Sequence, residues 1–244
     1  MKELAFTQIW WQFALIAVAC YFIGCFNFAR LISKLKNKDI TKMGSGNPGT
    51  MNMSREFGIK IGVLTFLCDA LKGGVPLLIG HLIYNGYVFA GTEVLISDFI
   101  RYYCILFVIT GHIYPITTGF KGGKGIASTM GAFWFSLSCE NLWWILGGAC
   151  IAIFLVSFIK ITKWGSLGSL FGVSGCSTAQ MIIFVLRYAE VTVNAYLICT
   201  YIILLVINFL TWWAHRKNLT RLFAGEEHKT GSKKKIKHKI NNKK

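Results

Sequence analysis

Acidic side chains are scarce in this chain. Ten Asp or Glu stand against 26 Lys or Arg in 244 residues, for a formal net charge of +16. Charged residues of either sign make up only 15%, whereas hydrophobic residues reach 54% and mean hydropathy is +0.53. That balance excludes an ordinary water-soluble domain and fits a polytopic membrane protein. Cysteine pairs at metal-like spacing are also lacking. The eight cysteines (20, 25, 68, 104, 139, 150, 176 and 199) lie in or beside apolar runs, so they read as buried free thiols, not a disulfide framework. No repeat of about 20–50 residues recurs, and no folded basic module accompanies the positive charge, so nucleic acid is not an expected partner. No metal and no cofactor are expected.

What the chain does have is apolar length. Seven hydrophobic spans run over 8–28, 60–83, 99–116, 126–139, 142–160, 166–186 and 193–213, against the roughly 20 residues of a crossing helix. The fourth is short for that purpose. Ala17–Cys20 faintly resembles a lipoprotein cleavage box, but apolar sequence continues through Phe28, so the first span reads as retained. Basic residues cluster after the first span (Arg30, Lys34, Lys36, Lys38, Lys42, Arg55), the third (Lys121, Lys124), the fifth (Lys160, Lys163) and the last. Alternate connections are poor in them: 84–98 carries Glu93 and Asp98, and 187–192 carries Arg187 with Glu190. The positive-inside bias then predicts an all-α, seven-transmembrane-helix bundle with its N-terminus outside and its C-terminus cytoplasmic. The expected organisation is one membrane domain over 1–227 and a basic tail over 228–244 that reads as disordered and drawn to anionic lipid.

That topology puts three polar segments on one face. The first, 44–55, is GSGNPGTMNMSR. Ser45, Asn47 and Asn52 offer short hydrogen-bonding groups, Pro48-Gly49 makes a turn, and Arg55 has the planar fork that suits phosphate. Alone, this segment is as well explained by an ordinary loop. The second, 111–128, is GHIYPITTGFKGGKGIAS. A loop that only sets topology needs charge but not three glycines in four positions. Gly122, Gly123 and Gly125 permit positive φ and close approach of bare amides to a ligand, and Lys121 and Lys124 add charge at the same spot, so an anion is the expected guest. It is not a nucleotide P-loop, since Gly125 follows Lys124 where Ser or Thr is required. His112 ends a span, where a lone histidine is most often a structural hydrogen-bonder.

The third segment, 215–227, is HRKNLTRLFAGEE. Arg216, Lys217 and Arg221 suit lipid headgroups, but Asn218 and Glu226 are left unexplained by that reading. Asp69 and Lys72 sit three apart within an apolar span, as a packing ion pair or a functional one. Gly165–Ser169, opening the sixth span, suits close packing or a helix-start anion pocket.

Together these residues resemble the bacterial integral-membrane acyl-phosphate:glycerol-3-phosphate acyltransferases. That family carries a GSGNPGATN-like motif, a GHxxPxxxxFKGGKGxAT-like motif and an HRxNIxRLxxGxE-like motif, matched here at Gly44–Asn52, Gly111–Ser128 and His215–Glu226. Asp69–Gly73 and 166–169 also match. Departures are Thr50-Met51 for Ala-Thr, Ser128 for Thr and Leu219 for Ile; loss of the hydroxyl at Met51 argues against a substrate contact there.

The resemblance implies a seven-helix membrane enzyme. It would transfer a fatty acyl group from acyl phosphate to glycerol-3-phosphate, giving 1-acyl-glycerol-3-phosphate and phosphate. It implies catalytic roles for His112, Lys124 and Asn218. Substrate binding would fall to Ser45, Asn47, Gly49, Asn52, Arg55, Lys121, Gly122, Gly123, Gly125, Ser128, Ser166, Arg221 and Glu226. Asp69, Lys72 and His215 stay between structural and functional roles. A base among His112, His215, Asp69 or the substrate's own phosphate is left open. The HxxxxD motif of the other acyltransferase class is absent. A transporter of phosphorylated solutes is the rival reading, but its helix breaks should lie deep in the spans and recur in two halves.

Overall fold

The structure, a computed structural model, describes residues 1–225. Among the described residues ten α-helices follow in order: α1 (Phe6–Cys25), α2 (Phe28–Leu35), α3 (Thr50–Phe57), α4 (Ile59–Ile83), α5 (Ile96–Ile113), α6 (Ile126–Glu140), α7 (Trp144–Thr162), α8 (Gly165–Arg187), α9 (Ala195–Ala214) and α10 (Arg216–Phe223). Two three-residue strands, β1 (Lys2–Leu4) and β2 (Tyr87–Phe89), pair in parallel and tie the N-terminus to the α4–α5 connection. The helical expectation holds apart from that short pair. Glu226 and the tail at 228–244 lie outside the described residues.

Among the described residues six segments are long and apolar enough to cross a membrane: Phe6–Leu35, Ile59–Ile83, Ile96–Thr118, Trp144–Thr162, Gly165–Arg187 and Ala195–Ala214. The expected fourth span is a helix too, but α6 has 15 residues. At about 1.5 Å per residue it falls short of a ~30 Å hydrocarbon layer. Within the first segment the helix breaks after Cys25, and Asn27 restarts it: its Oδ1 accepts the Arg30 N–H at 2.9 Å. Large apolar side chains point outward in number, among them Leu146, Ile153 and Phe154 on α7, where Gly148 alone is buried. In a bilayer such a surface meets lipid, not water.

With lipid outside, burying apolar area gives the helices little reason to associate, so small residues and polar contacts must do it. A Cβ added to Gly24 of α1 would lie 2.1 Å from the Val108 carbonyl of α5, and one on Gly111 of α5 would lie 2.1 Å from the Tyr21 carbonyl of α1. The same closeness joins α4 to α6, where a Cβ on Gly73 would meet the Ser128 carbonyl at 2.1 Å. The cysteines are all free thiols.

The bundle has two polar ends. At one, the start of α5 meets the far ends of α6 and α8. Arg101 bonds Asp98 (2.7 Å), Glu140 (2.6 Å) and the Ser136 carbonyl (2.9 Å), Arg187 bonds Asp98 (2.6 Å) and Glu140, and the Tyr188 hydroxyl donates to Asp98 (2.9 Å). Two cations and two carboxylates cancel, which lets Arg101 be 1% exposed. At the other end, the end of α5 meets the starts of α6 and α8 and the end of α9.

Candidate active site

The first polar segment is folded around Asn52. Its buried amide donates to the carbonyls of Ile40 (3.3 Å) and Met43 (3.0 Å), and its Oδ1 accepts the Ser45 N–H (3.0 Å). Expected as a substrate ligand, Asn52 instead has both ends of its side chain committed to the loop. Ser45 Oγ accepts weakly from the Asn47 N–H (3.4 Å), and Gly49 precedes α3 without a side-chain cap. Asn27 donates to the Pro48 carbonyl (3.2 Å) and so anchors the segment to α2. Ser45 and Arg55 are exposed.

The second segment turns back on the helix that precedes it. The Gly122 N–H donates to the Ile113 carbonyl (3.2 Å) and the Gly123 N–H to the His112 carbonyl (3.1 Å). This corrects the expectation of bare amides at these glycines. The last carbonyls of α5 have no helical donors of their own, and the loop supplies them. Nor do these two glycines adopt positive φ; Gly125 does, at +79°, immediately before α6. Gly122 and Gly123 are needed for closeness. A Cβ on Gly122 would meet the His112 carbonyl at 2.1 Å, and one on Gly123 would meet His112 Nε2 at 2.3 Å. The Tyr21 hydroxyl clasps the loop's entry, donating to the Tyr114 carbonyl (2.8 Å) and accepting from the Ile116 N–H (3.1 Å).

The available amides lie one step further on. Gly125 caps α6 with no side chain, and among the described residues the Ile126 and Ala127 N–H groups find no partner. Ser128, in the same first turn, is buried with its Oγ unpartnered. Free amides and the helix dipole favour negative charge at the start of α6, two residues after Lys124.

His112 is 4% exposed, and its Nδ1 lies 2.8 Å from Lys72 Nζ. Lys72 in turn reaches the Phe26 (2.7 Å) and Gly24 (3.4 Å) carbonyls and pairs with Asp69 at 2.9 Å. The i, i+3 ion pair expected from the sequence is present, and it buttresses a residue forty positions away.

The third segment begins where α9 ends. His215 is buried, and its Nδ1 lies 2.9 Å from the Thr211 carbonyl. A carbonyl only accepts, so Nδ1 carries the proton and Nε2 has the lone pair. Burial, and then the positive charge of Lys124, lower its pKa to about 4, so the ring is neutral at pH 7. That influence also puts the second and third segments side by side. Asn218 donates to Ser166 Oγ (2.6 Å) and accepts from Arg221 (3.0 Å), joining α10 to the start of α8. Arg30, on α2, donates to the Lys121 carbonyl (2.9 Å). Lys124, His215, Asn218 and Ser166 thus come from three elements to one end of the bundle, while the side chains of Arg55 and Lys121 are exposed and bond none of the other candidates, and Glu226 lies outside the described residues. Asn27, Arg30 and Tyr21 were not expected among the supports. Among the described residues no group of three or more His, Cys, Asp or Glu gathers to hold a metal ion.

A lipid-facing bundle whose one end collects lysines, arginines, an uncapped helix start and a neutral histidine defines an integral-membrane protein that handles an anionic substrate at the bilayer surface. Its kinship is specific: the chain belongs to the glycerol-3-phosphate acyltransferase family, whose model matches residues 14–225. It is 34% identical to the glycerol-3-phosphate acyltransferase of Clostridioides difficile (strain 630), covering 91% of this chain and 98% of that one. It is 36% identical to that of Mycoplasma pneumoniae, over 86% and 90%. Crystal structures of PlsY (YgiH), an integral membrane glycerol 3-phosphate acyltransferase, share the fold. The glycerol 3-phosphate form superposes with a TM-score of 0.67 at 26% identity, over 90% of this chain and 96% of that one. The lysophosphatidic acid form gives 0.63 at 28%, over 89% and 95%. The protein is accordingly a multi-pass membrane acyltransferase.

Proposed function

We propose that this enzyme transfers a fatty acyl group from acyl phosphate to the 1-hydroxyl of glycerol-3-phosphate, within phospholipid synthesis. The new ester C–O bond forms as the acyl carbon's bond to the phosphate oxygen breaks, and inorganic phosphate leaves with the electron pair. Phosphate is already a good leaving group, so no covalent acyl-enzyme is required. Alignment of the hydroxyl with the carbonyl and stabilisation of developing charge supply the acceleration. The observation that carries this reading is the uncapped start of α6 next to Lys124, whose charge reaches His215.

We assign the acyl-phosphate headgroup to the Ile126 and Ala127 amides and Ser128, and glycerol-3-phosphate to Ser45, Arg55, Lys124 and Asn218. His215, neutral with Nε2 unprotonated, accepts a hydrogen bond from the attacking hydroxyl; with a pKa of about 4 it is a weak base, and the departing phosphate is the better destination for the proton. The acyl chain reaches the site sideways from the membrane, so no water-soluble carrier is involved. Counting α6 as a seventh, short crossing puts the N-terminus outside and the active site in the cytoplasm, in accord with the basic connections.

The deciding experiment measures phosphate release by the purified protein. Turnover should require both acyl phosphate and glycerol-3-phosphate, and acyl-CoA should not replace the donor. Equal turnover with acyl-CoA refutes the assignment. In a cysteine-free background, a thiol at Lys38 should be labelled from the cytoplasm and one at Glu93 from outside; labelling of both from one side refutes the topology.

A further inference from the structure

The bonding around His112 goes beyond a structural brace. A lysine ammonium has three N–H donors and no acceptor. In Lys72 all three are directed: to the Gly24 carbonyl (3.4 Å), the Phe26 carbonyl (2.7 Å) and His112 Nδ1 (2.8 Å). Asp69 Oδ1, 2.9 Å from Nζ, balances the ammonium's charge and lies 4.0 Å from His112 Nδ1. The three side chains are buried, at 1–7% exposure. A ring nitrogen that faces a donor must present its lone pair. The single proton of the neutral imidazole therefore sits on Nε2.

Nε2 faces the glycine loop, since a Cβ on Gly123 would fall 2.3 Å from it. The loop is held there by the Gly123 N–H bond to the His112 carbonyl, and among the described residues Nε2 has no hydrogen-bond partner. His112 and His215 thus present opposite faces to the same end of the bundle: His112 an N–H, His215 a lone pair.

We propose that Asp69 and Lys72 are positioning residues that lock His112 in its Nε2–H tautomer, making it a fixed hydrogen-bond donor to an oxygen of the acyl-phosphate group and not a base. This inference builds on the acyl-transfer reading and assigns His112 a role within it. Charge grows on the acyl carbonyl oxygen and on the departing phosphate as the ester forms. A donor already held in place stabilises it with no reorganisation. A side chain at Gly123 would fill the space in front of that N–H.

The test reads the tautomer directly. The full-length protein, 15N-labelled at histidine and held in lipid nanodiscs, is examined by NMR, with the His112 signals assigned from their loss in His112→Gln. The expected result is a protonated Nε2 and an unprotonated Nδ1, with the Nε2 signal moving when inorganic phosphate is added. In Lys72→Met the ring should lose its single-tautomer signature, and kcat should fall more than KM rises. His112→Gln, whose amide N–H reaches towards the Nε2 position, should stay within about tenfold of the parent, and His112→Leu should lose about a hundredfold or more. A proton on Nδ1 in the unaltered protein, an unchanged tautomer in Lys72→Met, or equal loss in His112→Gln and His112→Leu with both shown folded overturns the proposal. Failure of the acyl-transfer reading would appear separately, as absence of turnover by the unaltered protein with both substrates.

Discussion

Gly123→Ala separates packing from ligand contact. The added methyl would sit 2.3 Å from His112 Nε2, 3.1 Å from Cδ2 and 3.2 Å from Cε1. Comfortable contact begins near 3.5 Å, so the ring must retreat by roughly 1 Å or the loop must lift. Retreat is opposed from behind, where Nδ1 bonds Lys72 at 2.8 Å and Lys72 is itself held by two carbonyls and Asp69. Overpacking of this kind costs about 1–3 kcal/mol of stability, and a 1 Å misplacement at a reacting site costs about a hundredfold in rate. Gly125→Ala provides the contrast. Its Cβ would have only ordinary contacts at 3.5 Å, but φ is +79°, so the penalty is backbone strain of about 1–2 kcal/mol. Asparagine tolerates that conformation, so Gly125→Asn should recover part of the loss, whereas Gly123→Asn should be no better than Gly123→Ala. The assay is kcat/KM together with thermal unfolding in nanodiscs, repeated in a His112→Ala background. If the clash acts through His112, Gly123→Ala should destabilise little further once the ring is gone. An equal additional loss of stability in both backgrounds would refute this account.

Lys124→Ala should lower kcat/KM by about ten- to a thousandfold and raise the His215 pKa from about 4, since a positive charge beside it is removed; histidine NMR titration reads the second effect. Because His215 is held neutral in the fold while a free imidazole protonates near ~6.5, its contribution to stability is complete above that pH and drains away as pH falls towards 4. Melting temperature should therefore fall with acidification over that window, and less so in His215→Asn. Asn52→Ala removes the donors to the Ile40 and Met43 carbonyls and the acceptor for the Ser45 N–H, so it should cost about 1–3 kcal/mol of stability, seen as a lower melting temperature. Asn218→Ala leaves Ser166 and Arg221 without their shared partner and should cut kcat/KM with a smaller change in melting; the reverse pattern would make Asn218 a structural residue.

How far the sequence could be read follows from where its signals are local. Apolar runs disclosed the helices because a lipid environment demands length and internal hydrogen bonding from each one separately. The motifs disclosed which residues matter, and Asp69 with Lys72 was visible as an i, i+3 pair. What the sequence could not disclose is what those residues face. Asp98 and Arg187 read as loop charges, yet with Arg101 and Glu140 they close a network that depends on α5 starting where α6 and α8 end. Gly122 and Gly123 read as phosphate cradles because glycine in a basic loop has two explanations, conformation and closeness, that look identical in sequence. Their amides in fact close the open carbonyls of α5, and the unpaired amides lie one step along the chain, at the start of α6. The same loop thus needs its glycines for two different reasons: Gly123 for the ring beneath it, Gly125 for the turn into the helix. The unexpected supports were Asn27, Arg30 and Tyr21. Each joins parts of the chain at least twenty-one residues apart, namely Asn27 to Pro48, Arg30 to Lys121 and Tyr21 to Tyr114. No periodicity or spacing rule reaches across that separation. A shared end of the bundle does, because every helix that enters or leaves there must find partners for its open backbone groups, and those partners fix which side chains meet.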